Sequence, residues 1–297
     1  MTDSARSKAI RHYASERPEF AQQLAFFEKL WDAQDEFGGR AAAYEPASED
    51  EISRALMSHQ TMFSLAAPEI PLEAYQEAVR AISVVMAEAG LPEAQTTALT
   101  EVDLGDAITA DALAGALAGF DVFVQAVTTA VADERLTETL VAFILSEAMT
   151  PFLREPAKAA VKTAGKFDWL MWDSGLCPAC GTPASSGVVR DEGELQGGRR
   201  WLECPLCRTR WEYARIRCAR CGSRDQKQLE YLFDEQDPGH RVHTCQVCHG
   251  YTPVVVEREL KFLAIPVVEE VMLVPLETVA AERGFTPLGD KADEKPN

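Results

Sequence analysis

From Met1 to Leu176 the chain of 297 residues has no cysteine, so neither disulfides nor thiolate–metal chemistry can organise its larger part. Basic residues are also scarce: 29 Lys and Arg stand against 47 Asp and Glu, a net charge of −18. Affinity for phosphate backbones comes largely from Lys and Arg displacing counterions, so a nucleic-acid binder is not expected. Long apolar runs are missing too. The most apolar stretch, residues 112–153, is interrupted by Asp121, Asp133, Glu134, Arg135, Glu138 and Glu147, which excludes a single bilayer crossing there. Residues 1–17 are polar and charged with no apolar centre, so no secretory leader and no membrane insertion are expected, and the cytoplasm is the expected location. Nor is there a glycine-rich phosphate loop, a G-x-S-x-G elbow or an H-E-x-x-H helix, and no enzyme active site is expected.

The sequence that is present divides in two. A hydrophobic content of 46% supports a buried core, and up to about residue 165 the composition is rich in Ala, Leu, Glu and Val. Phe20, Leu24, Phe27 and Trp31 recur at helical spacing after Pro18-Glu19 and before Gly38-Gly39. Ser48 with Glu51 forms a capping-box pattern ahead of Ile52 and Leu56. Pro71 opens a helix carrying Tyr75, Val79, Ile82 and Met86, with Gly90 and Pro92 beyond its end. Leu113, Leu117 and Phe120 suggest a helix running on through Val124 and Val127. Another is expected over residues 137–149 until Pro151 turns the chain, and a short last one over 160–166. This part reads as an all-α bundle with short connections. His12 and His59 are lone histidines in helical patterns, better taken as surface or core residues than as ligands.

All eight cysteines fall between Cys177 and Cys248 as four C-x-x-C pairs: Cys177/Cys180, Cys204/Cys207, Cys218/Cys221 and Cys245/Cys248. The interval within the first two pairs equals that within the last two, so C-x2-C-x23-C-x2-C is written twice. Two thiolates three positions apart reach one ion when the backbone turns tightly, and Pro178, Gly181, Pro205, Gly222 and Gly250 favour such turns. Between the pairs lie hairpin patterns. Residues 186–190, 199–203 and 209–214 form one strand set around Gly197-Gly198; residues 228–233, 241–244 and 252–257 form the other around Asp237-Pro238-Gly239. A module of about 40 residues buries too little apolar surface to fold alone, and a metal supplies what is missing. Repeat symmetry favours Cys177, Cys180, Cys204 and Cys207 on one ion and Cys218, Cys221, Cys245 and Cys248 on a second; the alternative, a cross-braced pairing of first pair with third and second with fourth, leaves the equal intervals unexplained. Four thiolates accept zinc or iron. His240, His243 and His249 lie near the fourth pair but are not needed to complete either site. A thioredoxin-like dithiol would open a helix after a strand, and none of the four pairs does so. Arg208, Arg210, Arg215, Arg217, Arg220 and Arg224 cluster around the link between modules, beside Trp211 and Tyr213, as candidate partner-binding residues.

The runs Leu176-Cys177-Pro178-Ala179-Cys180-Gly181, Leu202-Glu203-Cys204-Pro205-Leu206-Cys207, Ile216-Arg217-Cys218-Ala219-Arg220-Cys221-Gly222 and Cys245-Gln246-Val247-Cys248, behind a cysteine-free helical half, resemble the FdhE family of formate dehydrogenase accessory or formation proteins. The resemblance extends to the tail, with an apolar segment over 266–274 and a helix over 276–283. It implies rubredoxin-like modules, the eight cysteines as ligands of two metal ions, iron favoured over zinc, and the catalytic subunit of formate dehydrogenase as partner. The expected fold is a multidomain α plus small β protein: a helical domain at 1–165, ribbons at 166–215 and 216–257, and a C-terminal segment at 258–297 with a short helix and polar tail. The expected function is that of a non-enzymatic assembly or maturation factor. The alternatives are a zinc-ribbon binder of nucleic acid or the transcription machinery, and a thiol redox protein.

Overall fold

The computed structural model describes residues 4–191, 198–260 and 263–288. Its first part is helical: α1 (Ala5–Glu16), α2 (Ala21–Asp35), α3 (Glu49–Met57), α4 (Met62–Leu65), α5 (Leu72–Ala87), α6 (Glu93–Glu101), α7 (Ala110–Gly115), α8 (Phe120–Val131) and α9 (Glu138–Thr163). Local chemistry sets many of the ends. The Ser48 hydroxyl accepts from the Glu51 amide while the Glu51 carboxylate accepts from the Ser48 amide, closing the expected capping box at α3. At α9 the Thr137 hydroxyl caps the first turn by accepting from the Leu140 amide. Tyr75, Val79 and Ile82 of α5 share one core with Val141, Ile144, Leu145 and Phe152 of α9, and the Tyr75 hydroxyl donates to the Leu145 carbonyl at 2.8 Å.

Two helices differ from the expected pattern. The stretch from Leu113 to Val127 is broken, because Gly119 takes a non-helical conformation between α7 and α8. Conversely, α9 does not stop before Pro151 but runs through both Pro151 and Pro156 and absorbs the short helix expected at 160–166. Pro151 has no N–H for the Glu147 carbonyl. The Gln34 side chain of α2 supplies one instead, its Nε2 donating to the Glu147 carbonyl at 2.9 Å.

The cysteine region forms six strands: β1 (Ser186–Arg190), β2 (Arg199–Glu203), β3 (Arg210–Tyr213), β4 (Leu229–Asp234), β5 (Asp237–Cys245) and β6 (Tyr251–Val256). Asp237-Pro238-Gly239, expected as a turn, belongs to β5; Gly197 of the other expected turn lies outside the described residues. The two strand sets join into one sheet of order β3-β2-β1-β6-β5-β4, through parallel pairing of β1 with β6 that aligns Val188 with Val255. Alternation along the strands puts Val188, Val255 and Val242 on one face. Arg200, Val189, Val254, Arg241 and Tyr231 lie on the other.

The first of these faces is covered by α10 (Pro266–Glu282), a single helix running through Pro275 where the sequence suggests an apolar segment and a shorter helix. Leu273 and Ala280 pack on the sheet, whereas Val268, Val271 and Met272 pack on Ile10, Leu24 and Trp31 of α1 and α2. The polar tail from residue 289 lies outside the described residues. Among the described residues no helix is long and apolar enough to cross a membrane.

Candidate metal centres

The four C-x-x-C turns share one backbone design. The amide of each leading cysteine donates to the carbonyl five residues on: Cys177 to Thr182 at 2.8 Å, Cys204 to Thr209 at 2.9 Å, Cys218 to Ser223 at 2.9 Å and Cys245 to Gly250 at 3.0 Å. The residue after each second cysteine has a positive φ, with Gly181 at 82°, Arg208 at 60°, Gly222 at 72° and His249 at 51°. Glycine adopts that conformation freely, while Arg208 and His249 hold it against a steric cost of about 1–2 kcal/mol. The same turn made four times brings paired sulfurs to one side of each strand set.

The thiols gather as the repeat symmetry requires. Cys177, Cys180, Cys204 and Cys207 form one group and Cys218, Cys221, Cys245 and Cys248 the other, all sulfurs of a group lying within 4.8 Å of one another. All eight are free thiols. The Cys177–Cys207 and Cys180–Cys204 sulfur separations are 3.5 Å, and those of Cys218–Cys248 and Cys221–Cys245 are 3.7 Å. A zinc tetrathiolate with Zn–S near 2.3 Å has tetrahedral edges of about 3.8 Å, so the donor sets fit a four-coordinate ion. Burial pushes the Cys177 and Cys204 thiols up, while hydrogen bonds from its neighbours hold Cys180 down. In the second group the Cys248 hydrogen bond holds Cys218 down to about 5. Four such sulfurs lose their protons together only beside a cation. A bound ion would supply cross-linking charge and geometry, and a closed four-thiolate shell keeps no position for substrate water.

The groups differ in surroundings. Cys177 and Cys204 are 0% exposed and Cys207 2%, and they belong to the main core with Trp172 and Trp211. The first amides of α4 clamp the leading turn, Met62 donating to the Pro178 carbonyl at 2.8 Å and Phe63 to that of Ala179 at 2.9 Å. The second group is more open, with Cys221 exposed and Cys248 half-buried. Gly175 links the two: a side chain there would stand 2.0 Å from the Ala219 carbonyl, so only glycine lets the entry to the first group touch the third turn.

The six arginines do not share one surface. Arg208 turns inward, its Nη1 3.1 Å from Glu270 Oε2 and 3.9 Å from Glu203 Oε1; burial opposes its charge, but Glu270, Glu203 and Glu147 hold its pKa up. Arg210 pairs with Glu203 at 2.6 Å. Arg217 pairs with Asp173 at 2.6 Å, and Arg220 donates to the Thr286 hydroxyl. Arg215 and Arg224 are exposed. Arg215, Arg217 and Arg220 line one cavity beside the second group, whereas Arg208 and Arg210 line another beside the first.

Among the described residues no histidine joins either group of sulfurs. His59 lies against Trp172, with ring centres 5.8 Å apart. His240 is buried, its Nδ1 2.9 Å from Asp237 and its Nε2 2.9 Å from Glu269 of α10; the Tyr13 hydroxyl of α1 donates to the same Glu269 oxygen at 2.5 Å. Burial works against the charged ring, but the two carboxylates push His240 up to about 9. Burial and the nearby Arg200, Arg241 and Arg215 push His243 down to about 3. The next residue of α10, Glu270, accepts from Ser185, Ser186 and Arg208 of the first module. Sequence reasoning missed Tyr13, Glu269, Glu270 and Arg200. Two adjacent acids inside the apolar run 264–276 were the available signal.

These features define a class: a helical protein fused to a doubled four-thiolate ribbon whose halves share one sheet. Residues 176–215 match the family model described as the FdhE central domain. Curated relatives called "Protein FdhE homolog" include one from Aquifex aeolicus, 32% identical over 120 residues and covering 40% of this chain and 42% of its own. One from Stutzerimonas stutzeri is 44% identical over 80 residues, 27% and 25% of the two chains, and one from Pseudomonas aeruginosa is 36% identical over 127, 36% and 38%. The matched stretches thus span about a quarter to two fifths of these relatives. The crystal structure of the FdhE protein from Pseudomonas aeruginosa shares the fold, with a TM-score of 0.59 over 98% of this chain and 95% of that one at 20% identity. The central segment is thus similar to the FdhE central domain, and the fold of the chain to that of an FdhE protein.

Proposed function

We propose that this chain is a non-enzymatic accessory factor for the assembly or maturation of formate dehydrogenase, acting in the cytoplasm by binding the enzyme's catalytic subunit. The observation carrying this reading is the doubled closed thiolate shell in an FdhE-type sheet: two sites shaped to build a surface rather than to admit a substrate. Cys177, Cys180, Cys204 and Cys207 hold one ion, and Cys218, Cys221, Cys245 and Cys248 the other, with iron favoured by the family resemblance and zinc the alternative. The helical part, over 1–165, and the ribbon modules, over 166–215 and 216–257, act together as the platform. Arg210, Arg215 and Arg224, the exposed members of the arginine cluster, are its best placed partner contacts. The net charge of −18 disfavours a nucleic-acid target.

The test is loss and restoration in the source organism. Deleting the chain should lower formate dehydrogenase activity while transcript levels hold, the intact gene should restore it, and tagged protein should co-purify with the catalytic subunit. Full activity in the deletion strain with no co-purification would overturn the proposal. Metal analysis and visible absorption of protein purified without added metal would separate iron, with thiolate charge-transfer bands, from colourless zinc.

A further inference from the structure

Arg200 of β2 is 2% exposed. Its Nη1 donates to the Arg217 carbonyl at 3.1 Å, but its Nε and Nη2 reach no acceptor among the described residues. The guanidinium lies 5.7 Å from the centre of the Tyr213 ring, and that of Arg217 lies at the same distance. A buried, uncompensated guanidinium is among the costliest things a fold can keep. Arg200 opens onto a cavity of about 420 Å³ on the sheet face away from α10, within the usual size range of small-ligand sites. Arg215, Arg217, Arg220, Arg241 and Arg258 line the same cavity, with Val189, Ile216 and Val256 as apolar wall.

Six guanidiniums in one cavity stand out in a chain of charge −18. Asp173 answers Arg217, and Asp191 and Glu259 answer Arg258. Among the described residues Glu230 is the one carboxylate in the lining, and it accepts from Gln246 at 3.3 Å. Cys218 and Cys245 border the cavity, and their metal-loaded group would be anionic, yet no sulfur accepts from the orphan nitrogens of Arg200. The unmet need is for oxygen acceptors in the plane of a guanidinium fork, which carboxylates and phosphates supply.

We propose that this cavity is an oxyanion site, holding a carboxylate or phosphate group against Arg200 with Arg215 and Arg241 around it. The source is either a free small anion or an acidic segment of another protein, and the site stands independently of the formate dehydrogenase reading.

Calorimetric titration of the metal-loaded full chain at low salt with pyrophosphate, citrate and a hexaglutamate peptide tests it. At least one probe should bind saturably with one site per chain and raise the melting temperature. Pyrophosphate or citrate binding identifies a free anion as the source; binding of hexaglutamate alone identifies a protein segment. Arg200→Met should weaken that binding by about tenfold or more, while its ligand-free melting temperature matches or exceeds that of the native chain, because an uncompensated buried charge has been removed. The double variant Arg215→Ala/Arg241→Gln leaves the buried residue in place and should show a comparable loss, which keeps the test open if Arg200→Met does not fold. Absence of binding by all three probes, or binding undiminished in these variants, overturns the proposal.

Discussion

His240 stands where three distant parts of the chain meet: its own strand β5, Glu269 of α10 and Tyr13 of α1. Its place in the sequence, five residues before Cys245, suggests a neighbour of the metal. The structure shows instead a buried ring held between the carboxylates of Asp237 and Glu269. The pKa of the folded ring, about 9, lies above the ordinary value of 6.5, so the ring's contribution is complete below about pH 6.5 and is lost as pH rises through 9. Its size is roughly 3 kcal/mol by linkage. Burial pushes the Tyr13 hydroxyl far up as well, so that group stays a donor across the same range. Melting curves between pH 6 and 9.5 should therefore fall for the native chain and be flatter for His240→Gln. Parallel curves would remove His240 as the origin of the loss.

At the scale of elements, α9 shows what the sequence pattern could and could not reveal. Pro151 reads locally as an end, but the helix continues, and Gln34, more than a hundred residues earlier, donates to the orphaned Glu147 carbonyl. Gln34→Leu should cost about 1–3 kcal/mol by denaturant unfolding, the penalty of an unsatisfied buried carbonyl. Adding Pro151→Ala should recover part of that, since alanine brings its own N–H to the position. Only part returns, because Gln34 also donates to the Glu147 carboxylate and accepts from Arg154. Equal stability of the single and double variants would dismiss this account of the helix. The same division runs through the molecule. The capping box at Ser48, the strand pattern and the grouping of eight thiols were legible because a few residues of spacing determine each. The shared sheet, the single α10 through Pro275 and the inward turn of Arg208 were not, because each depends on contacts made far along the chain.

At the scale of the whole molecule, α10 makes helices and ribbons one structure, with Glu269 fixed to the second module and α1 and Glu270 fixed to the first. The two thiolate groups nevertheless carry unequal shares of the fold. Cys177, Cys204 and Cys207 are part of the main core with α5 and α9, and α4 donates directly into the first turn. Cys218 and Cys245 are buried outside that core, and Cys221 is exposed. With metal in both sites, a chelator should reach the second ion first, with little change in helical circular dichroism. Removal of the first should be slower and should unfold helices and sheet together, since structural ions of this type contribute on the order of 10 kcal/mol in small zinc peptides. Cys177→Ser should accordingly lower the melting temperature of the entire chain, and Cys221→Ser should mainly loosen β4 and β5 in hydrogen exchange. Metal release timed against circular dichroism decides the matter: one concerted release, or helix loss with the first ion to leave from the second site, would contradict the unequal roles.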